Sequence, residues 1–133
     1  MKNVLVVDDD ETYVYLIERQ LRSMDKNLTI KSCGSGKEAL EYLEALSVAE
    51  KITPDLVMLD LNMPVMGGFD FLEAFDKICK KNCIAVPPPD IWIVTSSDVE
   101  GDKERAGDFP FARGYLVKPI GKKDIQHLLQ TGS

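Results

Sequence analysis

Residues 55–68 read DLVMLDLNMPVMGG. Leu56 to Leu59 make a short, continuous apolar run, the pattern of a strand covered on both faces. Pro54 punctuates the approach, and the run ends abruptly at Asp60. The loop that follows, LNMPVMGG, is rich in residues that break regular structure. A buried strand that hands a carboxylate directly to a loop belongs to open parallel sheets, where ligands gather at the carboxyl ends of strands.

The same unit recurs outward from this one. Val4, Leu5, Val6 and Val7 form a second continuous run and end in Asp8, Asp9 and Asp10. Asp10 is a good N-cap for a helix whose apolar stripe is Tyr13, Leu16, Ile17, Leu21 and Met24. Leu28 and Ile30 alternate with Thr29 and Lys31, as in a half-exposed edge strand. Ser35 and Glu38 match a capping box for a second helix, with Ala39, Leu40, Leu43 and Leu46 on its inner stripe. Beyond the Asp60 loop, Phe71, Leu72, Phe75, Ile78 and Cys79 mark a third helix. Pro87, Pro88 and Pro89 stop it and lead to a fourth strand, Ile91 to Val94. The stretch from roughly Asp98 to Gly107 predicts a short, polar fourth helix, anchored by little besides Val99 and Ala106 and weakened by Gly101. Tyr115 to Val117 form the fifth strand, and Ile125, Leu128 and Leu129 face one way on a last helix. Five strand–helix alternations with right-handed crossovers predict an α/β fold: a flavodoxin-like, doubly wound five-stranded parallel sheet of order 2-1-3-4-5 with helices on both faces.

A length of 133 residues fits one domain over 1–133, with no separate output module. Acidic residues number 22 against 16 basic ones, and the net charge of -6 excludes a general attraction to nucleic acid or anionic membrane. No apolar run is long enough to span a bilayer. MKNVLVV passes straight into aspartates without a small-residue cleavage site, so it reads as a strand rather than a signal peptide. Cys33, Cys79 and Cys83 lack a paired metal-type spacing and read as buried or idle thiols, which favours a reducing cytoplasm.

In the predicted sheet the carboxyl ends converge on one rim. They bring Asp8, Asp9 and Asp10 from the first strand, Asp60 from the third, Thr95 and Ser96 from the fourth, and Lys118 with Pro119 from the fifth. Carboxylates held together repel one another unless a cation sits among them, and hard oxygen ligands favour Mg²⁺. Lys118 offers a positive charge and Thr95 a hydroxyl to a phosphoryl group. The set reads as a site for phosphoryl transfer to a carboxylate. Plainer roles stand beside these: Asp10 as a helix cap, Thr95 and Ser96 as turn formers, Lys118 as a surface lysine, Tyr115 as core. His127 reads as solvent-facing, and Met58, Met63 and Met66 as packing and loop residues.

Four segments in this order, VLVVDDDE, DLVMLDLNMPVMGG, IVTSS and GYLVKP, resemble the two-component response regulator receiver domain over essentially the whole chain. The resemblance implies Asp60 as the phosphoacceptor. It implies Mg²⁺ positioned by Asp8, Asp9 and Asp60 with the backbone carbonyl of Asn62. It gives Lys118 a contact to the phosphoryl group, Thr95 a movement towards it, and Tyr115 the family's aromatic switch position. The Lys118–Pro119 bond is expected to be cis. The implied partners are a sensor histidine kinase or histidine phosphotransfer protein and, through the face of the fourth helix, fifth strand and fifth helix, a downstream protein. The implied action is that of a stand-alone signalling switch, not of an enzyme turning over a metabolite.

DDDET also matches the D-x-D-x-T motif of haloacid-dehalogenase-like phosphatases, with Asp8 as nucleophile, Asp10 as general acid, and Thr95 and Lys118 as later motif residues. Against it, only Asp124 remains beyond Lys118 to serve as a metal ligand, and there is no room for a cap. A flavodoxin-like electron carrier fares worse, because the strongly acidic turn after the first strand repels a flavin phosphate.

Overall fold

The computed structural model defines residues 3–50, 54–63, 66–82, 89–96, 100–109 and 112–131. The elements in chain order are β1 (Asn3–Val7), α1 (Glu11–Met24), β2 (Thr29–Cys33), α2 (Gly36–Glu50) and β3 (Leu56–Leu59). They continue with α3 (Gly68–Asn82), β4 (Asp90–Thr95), α4 (Glu100–Ala106), β5 (Ala112–Val117) and α5 (Lys122–Thr131). The strands form one parallel sheet in the predicted order β2-β1-β3-β4-β5. Val7 lies opposite both Cys33 and Leu59, Leu59 opposite Ile93, and Ile93 opposite Tyr115.

The continuous apolar runs work because strand side chains alternate between faces and both faces are covered. Leu5, Val7, Val57, Leu59, Ile91 and Ile93 pack with α2 and α3. Val4, Val6, Leu56, Met58, Trp92 and Val94 pack with α1 and α5. Burying one such side chain contributes about 1.5–3 kcal/mol, so the three central strands dominate stability. The Asp10 carboxylate accepts the Tyr13 N–H at 3.2 Å and caps α1. Ser35 Oγ accepts the Glu38 N–H at 3.2 Å, but Glu38 returns its bond to Gly34, one residue before the usual partner in a capping box.

Three expectations need correction. The apolar spacing puts Leu16 on the inner stripe of α1, yet it is 53% exposed beside Tyr15 at 60%. Val14, Ile17 and Leu21 hold the inward line, and at 3.6 residues per turn Leu16 stands about 130° off its centre. β5 begins at Ala112 rather than Tyr115, because Ala112, Arg113 and Gly114 carry no apolar signal. β2 begins at Thr29 and runs to Cys33, with Leu28 buried just before it. Cys83, Pro87, Pro88, Asp98 and Val99 lie outside the described residues, as does the side chain of Cys79. Cys33 is buried, and burial, with Glu38 nearby, pushes its thiol up to about 11, as befits an idle cysteine. Among the described residues no helix is long and apolar enough to cross a membrane.

Gly114 has a packing reason. A β-carbon there would fall within the van der Waals envelope of the Trp92 ring on the neighbouring strand. Gly101, by contrast, faces open space. We therefore expect Gly114→Ala to lower unfolding stability by about 1–3 kcal/mol through overpacking. Gly101→Ala should raise it by roughly 0.5–1 kcal/mol through helix propensity. Urea unfolding of the two variants measures both, and changes of the same sign would contradict the packing account.

Candidate functional site

The site is set by the register of the two central strands. The Asp60 N–H donates to the Val7 carbonyl at 2.9 Å, which draws the end of β3 against the end of β1 and so brings Asp60 beside Asp8. The chain must then turn away without covering the carboxylate. The glycines of the LNMPVMGG loop permit this: the Gly68 N–H donates to the Leu61 carbonyl at 3.1 Å, and a β-carbon at Gly68 would stand 2.7 Å from the Asp60 carbonyl oxygen. On the other side, the Lys118 N–H donates to the Thr95 carbonyl at 2.7 Å and ties the end of β5 to that of β4. The Lys118–Pro119 peptide bond is cis.

Asp8, Asp60 and Thr95 are the buried polar residues among those described. One carboxylate oxygen from each of Asp8, Asp9 and Asp60 lies within 4.8 Å of the others. The Lys118 ammonium donates to Asp8 Oδ2 at 2.7 Å and stands 3.9 Å from Asp60 Oδ2. Asp8 Oδ1 accepts the Asp10 N–H at 2.9 Å, and Asp60 Oδ1 faces the Asn62 N–H at 3.4 Å. The Asn62 amide reaches Thr95 Oγ1, also at 3.4 Å. Burial, followed by the charge of Asp8, pushes the Asp60 carboxyl above its ordinary range. The Lys118 ammonium and hydrogen bonds from Thr95 and Asn62 partly offset this.

Of the predicted site residues, Asp8, Asp9, Asp60, Asn62, Thr95 and Lys118 come together. Asp10 is taken up by the helix cap, so the acid role given to it in the phosphatase alternative has no support. Tyr115 stands elsewhere, partly buried against the α2–α3 side of the core, with the Lys103 ammonium 5.9 Å from its ring. His127 is exposed, as expected, though its ring meets Trp92 edge-on at 5.3 Å. Tyr13 was missed. Its ring centroid lies 3.9 Å from the Lys118 ammonium. The signal was present in the sequence: an aromatic on the inward stripe of α1, one turn past the cap, must face the carboxyl ends of the strands.

One ammonium, bonded to Asp8 and near Asp60, stands against a cluster of three carboxylates, so the cluster keeps excess negative charge, and all its ligand atoms are oxygens. That donor set fits a hard divalent cation such as Mg²⁺. Asp8, Asp9 and Asp60 would hold it.

Residues 4–130 match the family described as the response regulator receiver domain. The chain is 31% identical to the protein PilH of Pseudomonas aeruginosa over 134 residues, covering 98% of this chain and 94% of that protein. It is 33% identical to a two-component response regulator of rice, Oryza sativa subsp. japonica, over 127 residues, covering 96% of this chain but 19% of the other. The chain thus spans only about a fifth of the length of that relative, and about half of a Pseudomonas aeruginosa alginate regulator. A crystal structure of a two-component response regulator from Legionella pneumophila superposes with a TM-score of 0.80 at 26% identity, covering 99% of this chain and 98% of that one.

The raised Asp60 carboxyl has a consequence for stability. The folded chain binds this proton more tightly than the unfolded chain does. Stability is therefore lost as pH rises from the ordinary carboxylate range through the folded-state value, and the penalty is complete above it. Asp60→Asn cannot ionise. In buffer free of divalent cations it should unfold at higher urea concentration than the parent at pH 7, with the gain fading as pH falls through the folded-state value of Asp60 and gone below about 4. A gain independent of pH, or none at pH 7, would remove the electrostatic account.

Proposed function

The chain belongs to the response regulator receiver domain family, and on that premise we propose that it accepts a phosphoryl group onto Asp60 from a phosphohistidine of a sensor histidine kinase or phosphotransfer protein. The observation that carries this reading is the Lys118 ammonium, bonded to Asp8 at 2.7 Å and standing 3.9 Å from the buried Asp60. An Asp60 oxygen attacks phosphorus, and the P–O bond forms as the P–N bond to the donor imidazole breaks, its electron pair leaving with the nitrogen. Asp8, Asp9, Asp60 and the Asn62 carbonyl would hold Mg²⁺, which would supply screening of the charge on the phosphoryl oxygens. Lys118 neutralises a further oxygen from the β5 side. Hydrolysis of the aspartyl phosphate resets the domain, which makes it a switch with only self-directed chemistry, working in the cytoplasm. PilH, nearly all of whose length this chain spans, supports a receiver that acts on its own.

The output runs through Thr95. Its buried hydroxyl lies between Asn62 and Asp60 at the end of the strand that leads towards α4. A phosphoryl group on Asp60 offers that hydroxyl a stronger acceptor and draws it in. Tyr115, on the neighbouring strand, turns inward to fill the space. α4 is weakly held: among its described side chains only Ala106 is buried. Its Arg105–Glu73 ion pair is half exposed on both sides, and such pairs contribute about 0–1 kcal/mol. The face of α4, β5 and α5 is then the surface a downstream protein reads, and phosphorylation shifts its equilibrium.

Acetyl phosphate with Mg²⁺ tests the chemistry. Mapping the modified residue should find the adduct on Asp60, with none in Asp60→Asn, whereas an adduct on Asp8 would overturn the assignment. The output has its own test. Beryllofluoride with Mg²⁺ mimics the phosphoryl group and should change amide hydrogen exchange across residues 100–109 and around Tyr115. Thr95→Ala should bind the mimic but transmit much less of the change. If Thr95→Ala transmits as well as the parent, the hydroxyl is not the link.

A further inference from the structure

We propose that Tyr13 is a positioning residue of this site, its ring holding the Lys118 ammonium over the carboxylates while that ammonium passes from Asp8 to a phosphoryl group on Asp60. The inference rests on the phosphoacceptor reading above and adds a residue to it.

The ammonium has three neighbours of unequal kind. Asp8 Oδ2 is at 2.7 Å, Asp60 Oδ2 at 3.9 Å, and the centroid of the Tyr13 ring at 3.9 Å. In the proposed reaction the first two change. Asp8, as a ligand of the cation, would give up much of its hold on Lys118, and Asp60 would become the phosphorylated residue, an acyl phosphate. The ring alone is unchanged by the chemistry. A cation over an aromatic face is attracted by the ring quadrupole, more strongly where water is kept away, and the Lys118 side chain is only 17% exposed. Without that face, an ammonium released by Asp8 has solvent as its alternative, because a lysine stem is long and flexible.

Tyr13 is well placed to be a fixed wall. It sits in the first turn of α1, and its N–H is bonded to the Asp10 cap at 3.2 Å. Its ring packs against the α1–α5 side of the core. The phenol oxygen is buried and has no hydrogen-bond partner. A buried donor without a partner costs stability. The face of the ring, rather than its hydroxyl, is therefore the working part, and phenylalanine should serve in its place. An aliphatic side chain would fill the volume without the attraction.

Two measurements on the full chain test this. In the first, protein with ¹³C-labelled lysine is observed by NMR without phosphodonor. The Lys118 ε-methylene signal should be displaced upfield by the ring, keep that displacement in Tyr13→Phe, and lose it in Tyr13→Leu. The second follows Asp60 labelling by acetyl phosphate across a Mg²⁺ titration. Tyr13→Leu should lower the maximal rate roughly tenfold without raising the half-saturating Mg²⁺ concentration, and Tyr13→Phe should restore the rate. Tyr13→Met, unbranched and also without a ring, should repeat the loss, and urea unfolding reports whether each variant is folded. An unchanged lysine signal in Tyr13→Leu overturns the proposal. So does a parental rate in that variant, or a Tyr13→Phe rate as slow as Tyr13→Leu. A rise in half-saturating Mg²⁺ that accounts for the rate loss also overturns it, since that marks general collapse of the site. Absence of label on Asp60 in the parent protein overturns the phosphoacceptor reading and this inference together. Failure of the inference alone leaves parental labelling intact.

Discussion

Like charges are forced together here, and the force comes from apolar strands. Every residue of Val4–Val7 and Leu56–Leu59 is at most 2% exposed. Their pairing leaves no freedom in register, because a slip of one residue would turn each core side chain to the wrong face. Once Val7 lies opposite Leu59, Asp8 and Asp60 must emerge side by side. The repulsion is a local cost carried by burial elsewhere in the sheet. It is also what makes the site responsive, since anything positive that enters relieves it. Lys118 supplies part of that relief from within the chain and stops short of all of it.

Much of this was legible in the sequence for one reason. Strands buried on both faces are written as continuous apolar runs, and the residue that breaks each run marks a carboxyl end. Val7–Asp8 and Leu59–Asp60 are such breaks, and Thr95 and Lys118 follow the same rule. What escaped notice obeys other physics. Leu16 looked apolar enough for the core, but helix phase decides, and Val14 holds the inward position. The first half of β5 carries no apolar signal because its Gly114 answers the size of Trp92, a constraint that lives on another strand. Tyr13 reads as packing from the apolar stripe alone, and only its place one turn past the Asp10 cap puts it level with the strand ends.

The domain is unevenly held. At the rim, Asp8, Asp60, Asn62, Thr95 and Lys118 are tied to one another or to the backbone by polar contacts of 2.7 to 3.4 Å. A few residues beyond Thr95, α4 leans on Ala106, on one half-exposed ion pair, Arg105 with Glu73, and on the stacking of Arg105 over the Phe69 ring. Local stability is therefore lower in α4 than at the rim.

The single tryptophan of the chain is Trp92, 7% exposed on β4, closed over by Gly114 and met edge-on by His127 of α5. Its indole N–H has no hydrogen-bond partner. The protein thereby carries a built-in optical gauge of one seam. An indole kept dry emits towards the blue, and the parting of β4 from β5, or the lifting of α5, would wet it and shift the emission to the red. The gauge looks onto the α1–α5 face of the sheet, whereas Tyr115 packs on the other. Tryptophan emission and the signals of Tyr115 therefore watch opposite sides of the same sheet.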